Sequence, residues 1–201
     1  GRRRVWGDLA AFSVGDKVAW GHCASLGEFE QGRPLIEALR KQRPDHKVVL
    51  TFFSPSGYEV RKNYELADLV LYLPADTAAN ARRFIDKVQP CEVYFIKYEY
   101  WFHYFKALKR RNIPLYLVSA IFREEQIFFK WYGGWFRKLL PLVTRFFVHH
   151  ERSASLLRSI GVAHCEVAGD TRFDRVKALV EQAREVPVIA DFAKGQRVLV
   201  A

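Results

Sequence analysis

Two carboxylates and a lysine follow the ends of two predicted strands. Glu28 comes shortly after the apolar run 18–21, and Lys97 and Glu99 come directly after the run 93–96. Carboxyl ends of parallel strands share one edge of a sheet, and open α/β sheets bind their ligands there. Two carboxylates and a lysine around one cleft can transfer protons or organise a polar substrate. A surface ion pair between Lys97 and Glu99 is the simpler alternative.

Glu28 also has a purely structural interpretation. Ser25 and Gly27 predict a tight turn, and the pattern over 33–42 predicts a helix, so Glu28 stands where a strand hands over to a helix. A carboxylate in a first helical turn complements the helix dipole and caps free N–H groups. On the tetrapeptide 25–28 alone, this second interpretation is favoured.

A hydroxyl-rich turn follows the second predicted strand, 48–53. Ser54, Ser56 and Gly57 are its candidate functional residues, because a glycine there lets backbone N–H groups face an anion at a helix start. An ordinary serine turn with a helix cap fits the same residues equally well.

Apolar runs alternate with amphipathic stretches along the chain, which is typical of βαβ units and a parallel sheet. We therefore predict a Rossmann-like α/β fold with helices on both faces. The predicted strands are 18–21, 48–53, 69–72, 93–96, 115–119, 145–148 and 165–168, and the predicted helices are 33–42, 57–63, 78–87, 100–111, 135–140, 151–160 and 172–184.

The tail predicts a domain boundary. After the helix 172–184 the apolar run 196–201 reads as a strand with no following helix to cover it. We expect one domain over residues 1–185, with 186–201 as a linker and the first strand of another domain.

Composition limits the class of protein and of partner. The chain has 201 residues, half of them hydrophobic, which argues against disorder, and its net charge of +10 favours anionic partners. Its three cysteines form no CxxC pair, so neither a zinc site nor a disulfide framework is expected. No stretch approaches a membrane span, although the basic cluster 2–4 beside Trp6 is typical of residues flanking an upstream anchor.

The stretch 98–136 combines many aromatic residues with basic ones. This pattern suits a membrane interface, where Trp and Tyr lie at headgroup level. Single-stranded nucleic acid also suits it, but no nucleic-acid module signature occurs, and membrane contact is preferred. For any single aromatic, a place in the core is the leading alternative. The aromatics are Tyr98, Tyr100, Trp101, Phe102, Tyr104, Phe105, Phe122, Phe128, Phe129, Trp131, Tyr132, Trp135 and Phe136.

Six motifs, in order, resemble the N-terminal domain of the 3-deoxy-D-manno-octulosonic acid (Kdo) transferases. The resemblance covers about residues 20–174, and its motifs are 24–31, 33–36, 51–59, 72–76, 98–101 and 169–174. It implies the N-terminal half of a GT-B glycosyltransferase, in which the first domain holds a lipid A precursor and the second holds CMP-Kdo. It also implies work at the cytoplasmic face of the bacterial inner membrane, with no cofactor and no metal for transfer.

The resemblance assigns candidate roles to residues of this chain. It implies that Glu28 is the general base, that Glu99 supports the acceptor or the site, and that Lys97 and Arg123 contact lipid phosphates. Ser25, Gly27, Ser54, Ser56 and Gly57 lie in its motifs and complete the predicted site. Two positions depart from the family pattern: Phe102 stands where Pro is usual, and the run 121–125 replaces a run that usually begins Asn-Ala-Arg.

Three hypotheses follow. The first is the acceptor-binding half of a Kdo transferase, inactive by itself because the donor domain is absent. The second is a binding module for acidic lipid or nucleic acid, with Glu28 only a helix cap. The third is a different GT-B sugar transferase with another donor.

Overall fold

A computed structural model describes residues 5–12, 17–97 and 99–181. Seven strands form one parallel sheet in the order β3-β2-β1-β4-β5-β6-β7. The strands are β1 (Val18–Cys23), β2 (Lys47–Phe52), β3 (Leu69–Tyr72), β4 (Glu92–Ile96), β5 (Leu115–Ala120), β6 (Arg145–Val148) and β7 (Cys165–Val167). The predicted strand 196–201 and the domain boundary near 185 lie outside the described residues.

Eight α-helices accompany the strands within the described residues. They are α1 (Val5–Ala11), α2 (Leu26–Gln42), α3 (Pro55–Arg61), α4 (Ala78–Val88), α5 (Phe102–Arg110), α6 (Gly134–Arg137), α7 (Glu151–Ser159) and α8 (Thr171–Glu181). Short 3₁₀ turns occupy Ile127–Phe129 and Leu140–Leu142. The predicted α/β fold is confirmed, and each of the seven predicted strands is present with its ends shifted by two residues at most.

Two apolar cores show that both faces of the sheet are covered. Trp20 and Phe95 belong to the larger core, on the face covered by α1, α4, α5 and α7. Phe29 and Ile36 of α2 pack on the opposite face, together with Phe52 of β2. Alternate residues of a strand point to opposite faces, so apolar runs in a parallel sheet supply both cores at once.

The prediction for α2 was wrong at its start. The helix begins at Leu26 rather than at residue 33, and Pro34 lies inside it. A proline inside a helix removes one hydrogen bond, so a helix that begins near Pro34 is the locally favoured arrangement. Burial of Phe29 and Ile36 on the sheet favours the longer helix. The short helix α1, whose Val5 and Leu9 are buried, was not predicted.

Candidate functional site

The strand order places one crevice at the carboxyl edge of the sheet. β1 and β4 are neighbours, but β1 continues into α2 on one face and β4 into α5 on the other. Where successive helices diverge to opposite faces, an open α/β sheet leaves a cleft at the strand ends. Glu28 follows β1 and Glu99 follows β4, so both carboxylates lie at this edge of the sheet.

Glu28 lies in the first turn of α2, three residues after its N-cap, Ser25. The Ser25 hydroxyl donates to Glu28 Oε2 over 2.5 Å and makes no hydrogen bond to the helix backbone. The predicted tight turn is therefore wrong: Ser25 is the N-cap and Gly27 is helical. A Cβ at Gly27 would be 3.9 Å from Ser25 Oγ, an ordinary contact, so space does not require a glycine at this position.

Glu99 is bonded by Trp101 and approached by His22, and it does not pair with Lys97, two residues earlier in the sequence. Trp101 Nε1 donates to Glu99 Oε2 over 2.6 Å, and His22 Nε2 lies 3.5 Å from the same oxygen. Burial acts to raise the pKa of Glu99, but the donors His22 and Trp101 outweigh it, and the pKa lies below its usual value. No ion pair joins Lys97 to Glu99 within the described part of the chain.

Behind Glu99 runs a buried polar chain that starts in the core. His22 and Thr51 are fully buried, and His22 Nδ1 lies 2.9 Å from Thr51 Oγ1. Trp20 Nε1 donates to the same oxygen over 2.8 Å. Sequence analysis missed these three residues. The signal available was the unusual placing of His22 and Thr51 among the apolar residues of two neighbouring strands.

The charges of Glu28 and Glu99 both affect the titratable groups at the end of β1. The pKa of the buried Cys23 thiol is raised well above its ordinary value, first by burial and then by the charges of Glu28 and Glu99. The same two charges act to raise the pKa of His22, although burial lowers it overall. Glu28 and Glu99 are thus close enough to this strand end to share its electrostatic field.

Lys97 ends β4 in an unusual backbone conformation. Its φ is +65°, and Ser119, near the end of the adjacent β5, has φ of +56°. Residues other than glycine rarely adopt the left-handed region, and such strain clusters at functional sites. The Lys97 amide donates to Val118 O over 2.9 Å, which ties the two strand ends together. The charge of Lys97 reaches His149, after β6, and contributes to lowering its pKa, for which burial is the main cause.

The hydroxyl turn is a helix cap that lies beside the end of β1. The Ser54 side chain accepts from the Ser56 amide over 3.3 Å, and the Ser54 amide donates to Ala24 O over 2.7 Å. The Gly57 amide is used inside the turn, donating to Ser54 O. Gly57 instead allows close packing, because a Cβ there would lie 2.2 Å from the Phe52 ring. The capping alternative therefore describes this turn.

Arg123 lies in the loop after β5. It lines a separate depression of about 340 Å³ with Glu124, Glu125, His150 and Arg152. The predicted site residues thus fall into two groups. Lys97 lies toward β5 and β6, and Arg123 lies in the loop after β5. The others gather at the ends of β1, β2 and β4: Ser25, Gly27, Glu28, Ser54, Ser56, Gly57 and Glu99.

The aromatic stretch divides between core and surface. Tyr104, Phe105, Phe122 and Phe128 are buried, so the core alternative holds for them. Trp131, Tyr132 and Trp135 form an exposed group, which we call the aromatic patch, with exposed fractions of 90%, 60% and 54%. Tyr98 lies outside the described residues.

Two negative findings hold within residues 5–12, 17–97 and 99–181. No helix there is long and apolar enough to cross a membrane. Over the same ranges, no group of three or more His, Cys, Asp or Glu side chains is arranged to hold a metal ion.

Fold and site together define a Rossmann-like α/β domain with two carboxylates, Glu28 and Glu99, after the strands where its strand order reverses. Solved structures share this fold: UDP-GlcNAc 2-epimerase from Neisseria meningitidis aligns with a TM-score of 0.62 at 21% identity, over 89% of this chain and 53% of that one. The enzyme from Methanocaldococcus jannaschii aligns with a TM-score of 0.61 at 17% identity, over 90% and 53%. Identities this low show the fold alone.

The family is shown by a family model. Residues 3–175 match the model described as 3-deoxy-D-manno-octulosonic-acid transferase (kdotransferase), and the chain belongs to that family. The transferase of that name from Haemophilus influenzae is 33% identical over 100 residues, which is 49% of this chain and 23% of the relative. The one from Rickettsia felis is 24% identical over 192 residues, which is 94% and 40%. The chain thus spans less than half the length of these curated relatives.

Proposed function

We propose that this chain is the acceptor-binding half of a glycosyltransferase that moves Kdo from CMP-Kdo to a lipid A precursor, in lipopolysaccharide synthesis. Family membership supports the reaction class. The observation that supports the proposal is the position of Glu28 in the first turn of the helix that follows β1, on the same sheet edge as Glu99. CMP-Kdo would be held mainly by a second domain that follows this one.

Glu28 would act as the general base. One carboxylate oxygen takes the proton from an acceptor hydroxyl, and the freed electron pair forms the bond to the anomeric carbon of Kdo. The bond between that carbon and the CMP phosphate oxygen breaks, and CMP leaves with its electrons. Attack from the face opposite CMP inverts the anomeric configuration.

Glu99 and Ser25 would support this step without exchanging the proton. Glu99 stays ionised because its two donors favour the charged form, and it can accept a hydrogen bond from another acceptor hydroxyl. Ser25 occupies Oε2 of Glu28, which directs proton transfer to Oε1. Gly27, Ser54, Ser56 and Gly57 would shape the acceptor side of the crevice, and Lys97 and Arg123 would face acceptor phosphates.

The decisive experiment is Glu28→Gln in the full-length protein, with CMP release and Kdo transfer as readouts. We expect a loss of about a hundredfold or more in kcat with folding and acceptor binding intact, the usual range for a positioned base. Glu37→Gln is the matched control, because Glu37 lies in the same helix but pairs with Arg33 away from the strand ends. Activity near wild type in Glu28→Gln would reject the base role. The chain of 201 residues alone should release no CMP.

We also propose that this domain docks on the cytoplasmic face of the bacterial inner membrane. The aromatic patch presents two Trp and one Tyr, residue types that lie at headgroup level. Beside it is a basic groove of about 360 Å³ between α4 and α5, lined by Arg82, Lys106, Arg110 and Arg111. The Phe102 ring stacks on Trp135 with centroids 5.3 Å apart, and Lys106 Nζ lies 5.5 Å from its centroid, so Phe102 connects patch and groove.

A further inference from the structure

His22 is a buried titratable residue whose ring packs against two aromatic side chains. It is fully buried at the end of β1, and Phe95 and Trp101 pack edge-on against its ring with centroids 4.8 Å and 5.4 Å away. Its Nε2 has no hydrogen bond, and the Glu99 carboxylate, 3.5 Å away, is beyond ordinary hydrogen-bond length. A buried polar atom left unsatisfied is costly, so its presence calls for an explanation.

The tautomer of His22 follows from its other nitrogen. Thr51 Oγ1 already accepts from Trp20 Nε1, a group that only donates, and the single Thr51 hydroxyl hydrogen has two possible acceptors. They are His22 Nδ1 at 2.9 Å and Gly21 O at 3.3 Å. Donation to the nearer acceptor makes Nδ1 the acceptor nitrogen, so a neutral His22 carries its proton on Nε2.

The alternative arrangement is unfavourable for a neutral ring. If Thr51 donated to Gly21 O, His22 Nδ1 would carry the proton, and the Nε2 lone pair would face the Glu99 carboxylate. The ring's lone pair and the charged carboxylate would then face each other in a buried place, where low dielectric strengthens their repulsion. Burial lowers the pKa of His22 in spite of the nearby charges of Glu99 and Glu28, so the neutral ring dominates at neutral pH.

The bonded Trp101 and the nearby His22 face the same oxygen of Glu99. Trp101 Nε1 and His22 Nε2 both address Oε2, and within the described part of the chain Oε1 accepts no hydrogen bond. The side chain of Glu99 is 24% exposed. One carboxylate oxygen is thus fixed from the protein side, and the other remains free to accept a ligand hydroxyl.

We propose that His22 is a positioning residue of the crevice, which donates from Nε2 to Glu99 and holds that carboxylate in one orientation and in its charged form. The long 3.5 Å contact closes when a bound ligand excludes water, since catalytic hydrogen bonds tighten on complex formation. The chain Trp20–Thr51–His22 anchors Glu99 to the rigid sheet. The effect on transfer rests on the proposed function; the tautomer and the contact do not.

The first test is independent of any reaction. In this chain with ¹⁵N-labelled histidine, long-range ¹H–¹⁵N spectra should show His22 as the Nε2–H tautomer at neutral pH, and its titration midpoint should lie below that of free histidine. In Glu99→Gln the Nε2 signal should shift and the pKa of His22 should fall further, because a favourable charge is lost. An Nδ1–H tautomer, or spectra unchanged by Glu99→Gln, would overturn the proposal.

The second test is kinetic and uses the full-length protein. His22→Phe keeps an aromatic ring but removes both nitrogens, and it should lower kcat about tenfold or more with KM little changed, a smaller effect than the loss of about a hundredfold or more for a group that transfers the proton itself. The acid limb of the pH–rate profile should move to higher pH, because Glu99 loses a donor. His22→Gln, which restores an N–H near Nε2, should recover part of the rate.

A matched control separates positioning from loss of stability. His46→Phe changes another buried histidine, next to the start of β2 at the opposite edge of the sheet, and should leave kcat unchanged. Wild-type rate and pH profile in His22→Phe would reject the proposal while leaving the transferase intact. If the full-length protein transfers no Kdo, the proposed function fails, and the histidine spectra still decide the role of His22.

Discussion

The hydroxyl of Ser25 donates to Glu28 Oε2 over 2.5 Å, across the first turn of α2. The two residues stand at the N-cap and at the third helical position, the spacing of a capping box, yet the Ser25 side chain makes no bond to the helix backbone. The Ser25 hydroxyl therefore orients the Glu28 carboxylate and does not cap the helix.

Removing this hydroxyl should affect transfer more than folding. We expect Ser25→Ala to lower kcat of the full-length protein about tenfold, because Glu28 loses its fixed orientation. The free energy of unfolding should fall by less than about 1 kcal/mol, since no side-chain cap bond is lost. Ser25→Thr keeps the hydroxyl and should retain most activity. Equal rates for the Ala and Thr variants would contradict this role.

The aromatic patch should control binding to anionic membranes. We expect the double variant Trp131→Ala, Trp135→Ala to reduce co-sedimentation of this chain with phosphatidylglycerol vesicles at least tenfold, because the two exposed indoles supply the interfacial contact. Lys106→Ala with Arg110→Ala should weaken binding in proportion to the anionic lipid fraction.

The control for this experiment lies on another face of the domain. Lys62 is exposed and pairs with Glu59, so Lys62→Ala changes the net charge without touching the patch or the groove. It should bind vesicles almost as wild type does. If Lys62→Ala weakened binding as much as the groove variant, overall charge rather than a defined surface would be responsible.

Gly57 should tolerate substitution by alanine far less than Gly7, another glycine in a helix. A Cβ at Gly57 would lie 2.2 Å from the Phe52 ring, which must then shift within the core. We expect Gly57→Ala to lower the free energy of unfolding by about 1–3 kcal/mol, the usual range for overpacking. Gly7→Ala in α1 meets nothing within 4 Å and should be neutral or stabilising by up to about 1 kcal/mol. Urea titration would measure both changes.

Asp170 should contribute to stability at neutral pH and lose that contribution in acid. Its hydrogen bond from Arg172 is the main reason that its pKa falls from 3.8 to about 2. Because the folded-state pKa is depressed, the stabilisation is full above about pH 4 and disappears as the pH falls through 2. We expect Asp170→Asn to cost about 2 kcal/mol at pH 7 and little at pH 2, while Asn still caps the following helix.

Asp45 provides the contrast for this pH dependence. Its pKa is also lowered to about 2, chiefly by His46 and then by Lys17, but its side chain is 61% exposed. Solvent screens such a pair, so Asp45→Asn should change stability much less than Asp170→Asn. Urea unfolding at pH 7 and pH 2 measures the loss of unfolding free energy in both variants. Similar losses for the two variants would contradict the effect of burial.

Local sequence patterns are enough to predict the strands, the layers and the sheet edge at which the two carboxylates lie. Apolar runs such as those of β1 and β4 are local patterns, and the order of βαβ units fixes which ends share an edge. The sequence alone therefore predicts that Glu28 and Glu99 lie on one edge of the sheet. The start of α2 could not be predicted in this way, because burial of Phe29 on the sheet outweighs the local cost of Pro34.

The side chains that surround Glu99 are set by tertiary packing. His22, Thr51 and Trp101 are far apart along the chain, and their meeting depends on the pairing of β1 with β2 and with β4. Tertiary packing also separates Lys97 from Glu99 and bonds its backbone amide to β5. It buries Phe128 and leaves Trp131 exposed. Hydrogen-bond partners and burial are properties of the packed chain, because they depend on strand register and helix placement, and local sequence does not encode either one.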